Sequence, residues 1–399
     1  MADEDKRDGA PAWRPQTELI HGGIVRSQWA ETSEALYLTQ GFVYNSAEQA
    51  EARFKNEDPG FQYSRFGNPT VSMFEDRLKL FEGAEECRAT ATGMAAVTAS
   101  MLSYMKTGDH VVAGRAMFGS CRYIVETLCP RFGIACTLID GKYLDAWKKA
   151  IQPNTKMFFF ETPSNPNLEL VDIAGVAQIA KAHGILTIVD NVFATPMLQR
   201  PLQLGADIVV YSATKHIDGQ GRVLGGAILG GAELMTESYK DILRHTGPAL
   251  SPFNSWVLLK ALETLELRVT RQTQNAARVA DAIGAHAKCR QVIYPGRPDH
   301  PQAAIIANQM SGGGSVVAFD LGSREAAWRF LDTLAIVDIS NNLGDAKSMA
   351  THPSTTTHRS MPEAERLSIG LTEGWVRMSL GLEGAVDLVR DVERALDAA

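Results

Sequence analysis

The residue best placed to do chemistry is Lys215. It follows the apolar run 208–211, with Ser212 and Thr214 just before it and Gly219 and Gly221 just after. Lysine is almost never fully buried without a partner, and partial desolvation depresses its pKa, so a strand-end lysine can offer a neutral amine to an aldehyde and form a Schiff base. Taken alone, the same residue reads equally well as a side chain snorkelling to solvent. Two other segments change the balance. Asp190 ends the apolar run 185–189, which puts a carboxylate at the sheet edge where open α/β folds bind ligands and where it can pair with a cationic ring nitrogen. Gly93 and Met94 open a stretch in which Met94, Val97, Met101, Leu102 and Met105 recur at helical spacing. Backbone N–H groups at such a helix start attract phosphate, and glycine lets the backbone approach closely. Singly, an aspartate at a strand end is more often a cap or an ion-pair partner, and glycine before a helix is common.

An amine nucleophile, an anion for a ring nitrogen and a phosphate cradle, each on a different loop, form the set that pyridoxal phosphate chemistry requires. Ser212 and Thr214 add hydroxyl donors for the phosphate. A nicotinamide oxidoreductase fits less well: a G-x-G-x-x-G fingerprint starting at Gly219 meets Leu224 in its third glycine position, and the glycines lead into a strand rather than a helix. Neither a P-loop nor an H-E-x-x-H pattern occurs. A cofactor-free relative is opposed by the intact set of Gly93, Asp190, Ser212, Thr214 and Lys215.

These residues need a frame, and the sequence supplies one. Short apolar runs at 110–113, 135–139, 156–160, 185–189, 208–211 and 226–229 alternate with helical patterns, which predicts a mainly parallel sheet covered on both faces. Between two runs, Asp172 is placed to cap a helix whose buried face is Ile173, Val176, Ala177 and Ala180, with Gly184 as its stop. A long helical pattern from Leu258 towards Ile283, ending at Gly284, suits a connector. A strand near 316–320 and a last helix with Val386, Val389, Val392 and Leu396 on one face close the chain. Of 399 residues, 45% are hydrophobic and 21% charged, a globular balance. The net charge of −7 gives no basic face for nucleic acid or anionic lipid. No apolar run reaches the ~18 residues of a membrane span. Five cysteines without a C-x-x-C pair read as reduced thiols, so a cytoplasmic protein is expected. His352 and His358 lack a recognisable third ligand, and no metal is expected.

Over nearly its whole length the chain resembles the trans-sulfuration enzymes of cysteine and methionine metabolism, which depend on pyridoxal phosphate. The motifs that carry the resemblance are 207–221 around Lys215, 63–70, 163–166 and 376–383. The resemblance implies an α/β structure of fold type I, aspartate-aminotransferase-like, with a smaller α+β C-terminal domain. It also implies three parts: an arm (1–67), a cofactor domain (68–260) and a C-terminal domain (261–399). By the same resemblance, Tyr63 and Arg65 reach the cofactor phosphate of a neighbouring subunit, Gly93 and Met94 hold the phosphate, Phe118 stacks on the ring, and Asn165, Ser340 and Arg377 bind substrate. A tetramer of two tight dimers with shared sites is implied as well. Two departures stand out. His216 follows the lysine where an aromatic or aliphatic residue is usual, and Phe118 replaces the usual tyrosine. Loss of that phenol, which several lyases use as acid and base, points away from a lyase. The activity implied is replacement of the γ-acyloxy group of an O-acylhomoserine, with succinyl expected, by sulfide to give homocysteine. Cystathionine γ-synthase, γ-lyase and O-acetyl chemistry are the alternatives.

Overall fold

The apolar runs fold as short strands, most of them buried on both faces. The computed structural model describes residues 13–399; the first twelve residues of the expected arm lie outside them. The strands β1 (Glu86–Thr90), β2 (His110–Gly114), β3 (Ala135–Ile139), β4 (Thr155–Glu161), β5 (Leu186–Asp190), β6 (Ile208–Tyr211) and β7 (Gly226–Gly230) form one sheet in the order β1-β7-β6-β5-β4-β2-β3. The pairs from β3 through β2, β4 and β5 to β6 are parallel. β7 runs antiparallel to both β6 and β1. Every residue of β2, β6 and β7 is buried, because helices cover both faces. On one face Val111, Phe159, Ile188 and Val210 pack with Val97 and Met101 of the helix Gly93–Leu102. On the other, Val112, Phe158 and Val189 meet Trp147 and the helix Ile173–Ala182. Full burial of each such side chain contributes about 1.5–3 kcal/mol.

The Asp172 carboxylate accepts the N–H of Gly175 at 3.0 Å, and Gly184 takes a positive φ of 65° after the helix ends. Elsewhere the sequence pattern misleads. The run from 258 to 283 is two helices, Pro252–Leu262 and Leu265–Ala285. Their apolar positions stay in phase across the break, and Gly284 lies inside the second helix. β1 carries no apolar run. Its Glu86, Arg88 and Thr90 alternate with Cys87 and Ala89, which suits a terminal strand of the sheet. The last helix, Ala385–Ala398, buries Leu388, Val392, Ala395 and Leu396, while Val386 is exposed and Val389 only partly buried.

A second sheet of β8 (Gln291–Ile293), β9 (Val316–Asp320), β10 (Asp338–Ile339), β11 (Met349–Thr351) and β12 (Trp375–Ser379) has the order β10-β11-β12-β9-β8. The helix Leu265–Ala285 serves both sheets. Its Leu265 and Val269 pack under the first, and its Ala276, Val279 and Ile283 under the second. The 260/261 division drawn from sequence falls inside the preceding helix, Pro252–Leu262, just before the helix that contributes to both cores. The arm buries Leu19 but leaves Trp29, Leu38 and Val43 exposed.

Candidate active site

Five loops leave the same edge of the first sheet, at the ends of β1, β2, β4, β5 and β6, and converge on a cavity of about 250 Å³. The loop after β6 carries Lys215. Its Thr214 hydroxyl donates to the Gly225 carbonyl at 3.2 Å and accepts the Gly225 N–H at 3.1 Å, tying the segment across to the start of β7. The Lys215 Nζ donates to Asn342 Oδ1 at 2.5 Å. Burial, with the Arg377 charge second, pulls the amine down to about 8 from its ordinary 10.5. At the end of β5, Asp190 is 7% exposed and accepts the Val192 N–H at 3.1 Å. Burial raises its pKa to about 7.

The loop after β1 opens the helix Gly93–Leu102, where the Thr92 hydroxyl accepts the Ala95 N–H at 3.0 Å as an N-cap. A Cβ on Gly93 would stand 2.6 Å from Ser212 Cβ and 2.8 Å from its Cα. The helix start and the Ser212 hydroxyl are thus pressed together in a way only glycine permits. From the second sheet, Arg377 of β12 reaches in, 2% exposed. Its Nη1 donates to Asn165 Oδ1 at 2.9 Å and its Nη2 to the Asn341 carbonyl at 2.8 Å. Its Nε has no hydrogen-bond partner among the described residues.

Gly93, Met94, Phe118, Asn165, Asp190, Ser212, Thr214, Lys215 and Arg377 all line the cavity. Three residues singled out from sequence do not. Ser340 does not line the cavity. Its N–H pairs with the Ala350 carbonyl and its Oγ accepts the Asn342 N–H at 3.2 Å, so it shapes the turn that presents Asn341 and Asn342 instead of touching what binds there. Tyr63 and Arg65 lie outside too. The Arg65 guanidinium stacks over Phe66 and donates to the Arg244 carbonyl.

Sequence reading missed Glu161, Asn341 and Asn342. Glu161 carried a usable signal, an acid ending an apolar strand as Asp190 does; the asparagines lie in a turn without a pattern. His216 Nε2 sits 2.7 Å from Ser315 Oγ, and burial holds the ring neutral by pulling its pKa to about 4. His352 is spent on the Thr355 hydroxyl and the Glu373 carbonyl, both at 2.8 Å. Among the described residues no group of three or more His, Cys, Asp or Glu is placed to hold a metal ion. The cavity's chemistry fits pyridoxal phosphate. A desolvated amine is available for the aldehyde, a buried carboxylate for the ring nitrogen, and a glycine-opened helix start beside a serine for the phosphate.

Comparison with known proteins gives the same answer. The model of the Cys/Met metabolism PLP-dependent enzymes matches residues 16–397. The chain belongs to this family. Its cofactor is pyridoxal 5′-phosphate and its architecture is fold type I. An O-succinylhomoserine sulfhydrylase of Mycobacterium tuberculosis is 52% identical over 94% of both chains, and one of Pseudomonas aeruginosa is 46% identical over 96% of this chain and 95% of the relative. An L-methionine gamma-lyase of Treponema denticola is 37% identical over 96% of both. Among solved structures, a Campylobacter jejuni protein described as an O-acetylhomoserine (thiol)-lyase, containing N′-pyridoxyl-lysine-5′-monophosphate, superposes with a TM-score of 0.93. It is 30% identical, and the match covers 96% of this chain and all of that one.

Proposed function

We propose that this family member catalyses γ-replacement on O-succinyl-L-homoserine: sulfide displaces succinate and L-homocysteine forms. The observation that carries this reading is the 52% identity, over nearly all of both chains, to an O-succinylhomoserine sulfhydrylase. Five L-methionine gamma-lyases stand lower, at 35–38%. Phe118, which has no hydroxyl to serve as acid or base, points the same way.

When bound, pyridoxal phosphate supplies an electron sink that makes the substrate's Cα and Cβ protons removable. The chain's residues do the rest. Asp190 would pair with the ring nitrogen and hold it protonated. Gly93 and Met94 at the helix start, with Ser212 and Thr214, would hold the phosphate, and Phe118 would cover the ring. Arg377 and Asn165 grip the α-carboxylate, the guanidinium offering a planar fork suited to it. The Lys215 amine, pulled down to about 8, accepts the Cα proton and shuttles a proton at Cβ, so succinate can leave and sulfide can add at Cγ. Holding these atoms in register makes each step effectively unimolecular, an advantage reaching ~7–11 kcal/mol in the best intramolecular cases.

Tyr63 and Arg65 are assigned to the cofactor phosphate of a neighbouring subunit. Their position outside their own chain's cavity supports this, and so does the arm, whose exposed Trp29, Leu38 and Val43 suit an interface within a tetramer of two dimers. Five unpaired cysteines suit a reducing cytoplasm. The deciding experiment offers O-succinyl- and O-acetylhomoserine to the purified holoenzyme with sulfide or cysteine and measures homocysteine and cystathionine. Efficient release of ammonia and a keto acid from methionine, without homocysteine from either ester, would overturn the assignment in favour of a γ-lyase.

A further inference from the structure

Glu161 ends β4 opposite Asp190 of β5, its partner in the strand register, and is 4% exposed. Both of its carboxylate oxygens are occupied by backbone donors from different loops. Oε2 accepts the Phe118 N–H at 2.7 Å, and Oε1 accepts the Asn165 N–H at 2.7 Å. Phe118 carries the ring that lines one side of the cavity, and Asn165 is the residue whose amide oxygen receives Arg377. One continuous path therefore runs from the ring-bearing loop, through a single carboxylate, to the guanidinium. Burial strengthens this carboxyl's hold on a proton, and the Asp190 charge adds to that; the two N–H donors and Arg377 act in the opposite direction.

We propose that Glu161 is a positioning residue that fixes the spacing of the Phe118 loop and the Asn165 loop, coupling the cofactor face of the cavity to its carboxylate-binding end. This role rests on the reading of Arg377 and Asn165 as the substrate-carboxylate site. Only a glutamate meets the geometry. Aspartate is one methylene shorter and cannot reach both N–H groups from the same backbone. Glutamine would turn an –NH₂ towards one of the two donors, leaving a buried N–H unpaired.

The test is amide hydrogen exchange on the Glu161→Gln holoenzyme without substrate, read over segments 116–122 and 162–168, beside the visible circular dichroism of the bound cofactor. Glu161→Gln keeps one acceptor oxygen and loses the other, so exchange should quicken by at least about tenfold in at least one of the two segments. Exchange elsewhere should stay at the parent's rate, and the cofactor's dichroism should weaken. KM for the acylated homoserine should rise more than kcat falls. Parent-like exchange in both segments, or a uniform increase across the chain, overturns the proposal. If Glu161→Gln does not fold, Glu161→Asp is read by the same criteria, and parent-like exchange there overturns it equally. Exchange is measured without substrate, so a failed sulfhydrylase assay would leave this result standing. Parent-like exchange would defeat the Glu161 role even in a fully active sulfhydrylase.

Discussion

Gly93→Ala is the sharpest probe of the cofactor cradle. The added methyl carbon would lie 2.6 Å from Ser212 Cβ, 2.8 Å from its Cα and 2.9 Å from its Oγ, whereas ordinary contact begins at 3.4 Å. Roughly 0.8 Å must open between the helix start and the Ser212 segment. Ser212 cannot yield, since its backbone continues β6, buried along its whole length. The first turn of the helix Gly93–Leu102 must therefore tilt away, against a face packed by Val97 and Met101. Overpacking of this kind costs about 1–3 kcal/mol. The N–H groups carried off with it are charge-assisted donors worth about 1.5–3 kcal/mol each. Losing one of them weakens phosphate retention about 10- to 150-fold. The assay strips cofactor from parent and variant, titrates pyridoxal phosphate back by absorbance, and compares thermal unfolding of the apo-proteins. Parent-like cofactor affinity with parent-like unfolding would show that the Gly93–Ser212 contact does not form the cradle.

Lys215→Ala should lose turnover together with the yellow absorption, and borohydride should leave no pyridoxyl group at position 215; a yellow, active variant would end the mechanism. Arg377→Ala removes donors worth roughly 1.5–3 kcal/mol each, so kcat/KM should fall at least about tenfold while cofactor stays bound; unchanged kinetics would move the carboxylate site elsewhere. The Lys215 amine is depressed to about 8 by burial and by Arg377, so it is protonated and unreactive below that pH and free above it. Uptake of pyridoxal phosphate by apo-protein should therefore accelerate about tenfold per pH unit up to roughly pH 8 and then level off. A rate still climbing towards pH 10 would mean the amine is solvated.

The sheet was legible because its strands are apolar on both faces, a pattern that survives any packing detail. Lys215, Asp190 and Gly93 were legible because each breaks a local rule at a strand or helix end. β1 was not, since its buried Cys87 and Ala89 alternate with the half-buried charged Glu86 and Arg88 and form no apolar run. The break at 263–264 was hidden because two helices in phase look like one. Ser340 stands outside the cavity lining, its Oγ turned to the Asn342 N–H, and a resemblance gives the neighbourhood of a residue but not the direction of its side chain. Glu161 ends an apolar strand as Asp190 does and was legible by the same rule; only its backbone N–H partners, which no residue type advertises, were hidden.

The reversed strand β7 has a consequence for the lysine. Residues 212–225 leave the sheet at β6 and re-enter it one position away, with Thr214 stitched to Gly225 at the far side. The loops after β2 and β4 run on into helices or long crossovers instead, and are held through the Glu161 side chain. The backbone that carries the lysine is thus held at both ends, leaving its side chain to reach across the cavity.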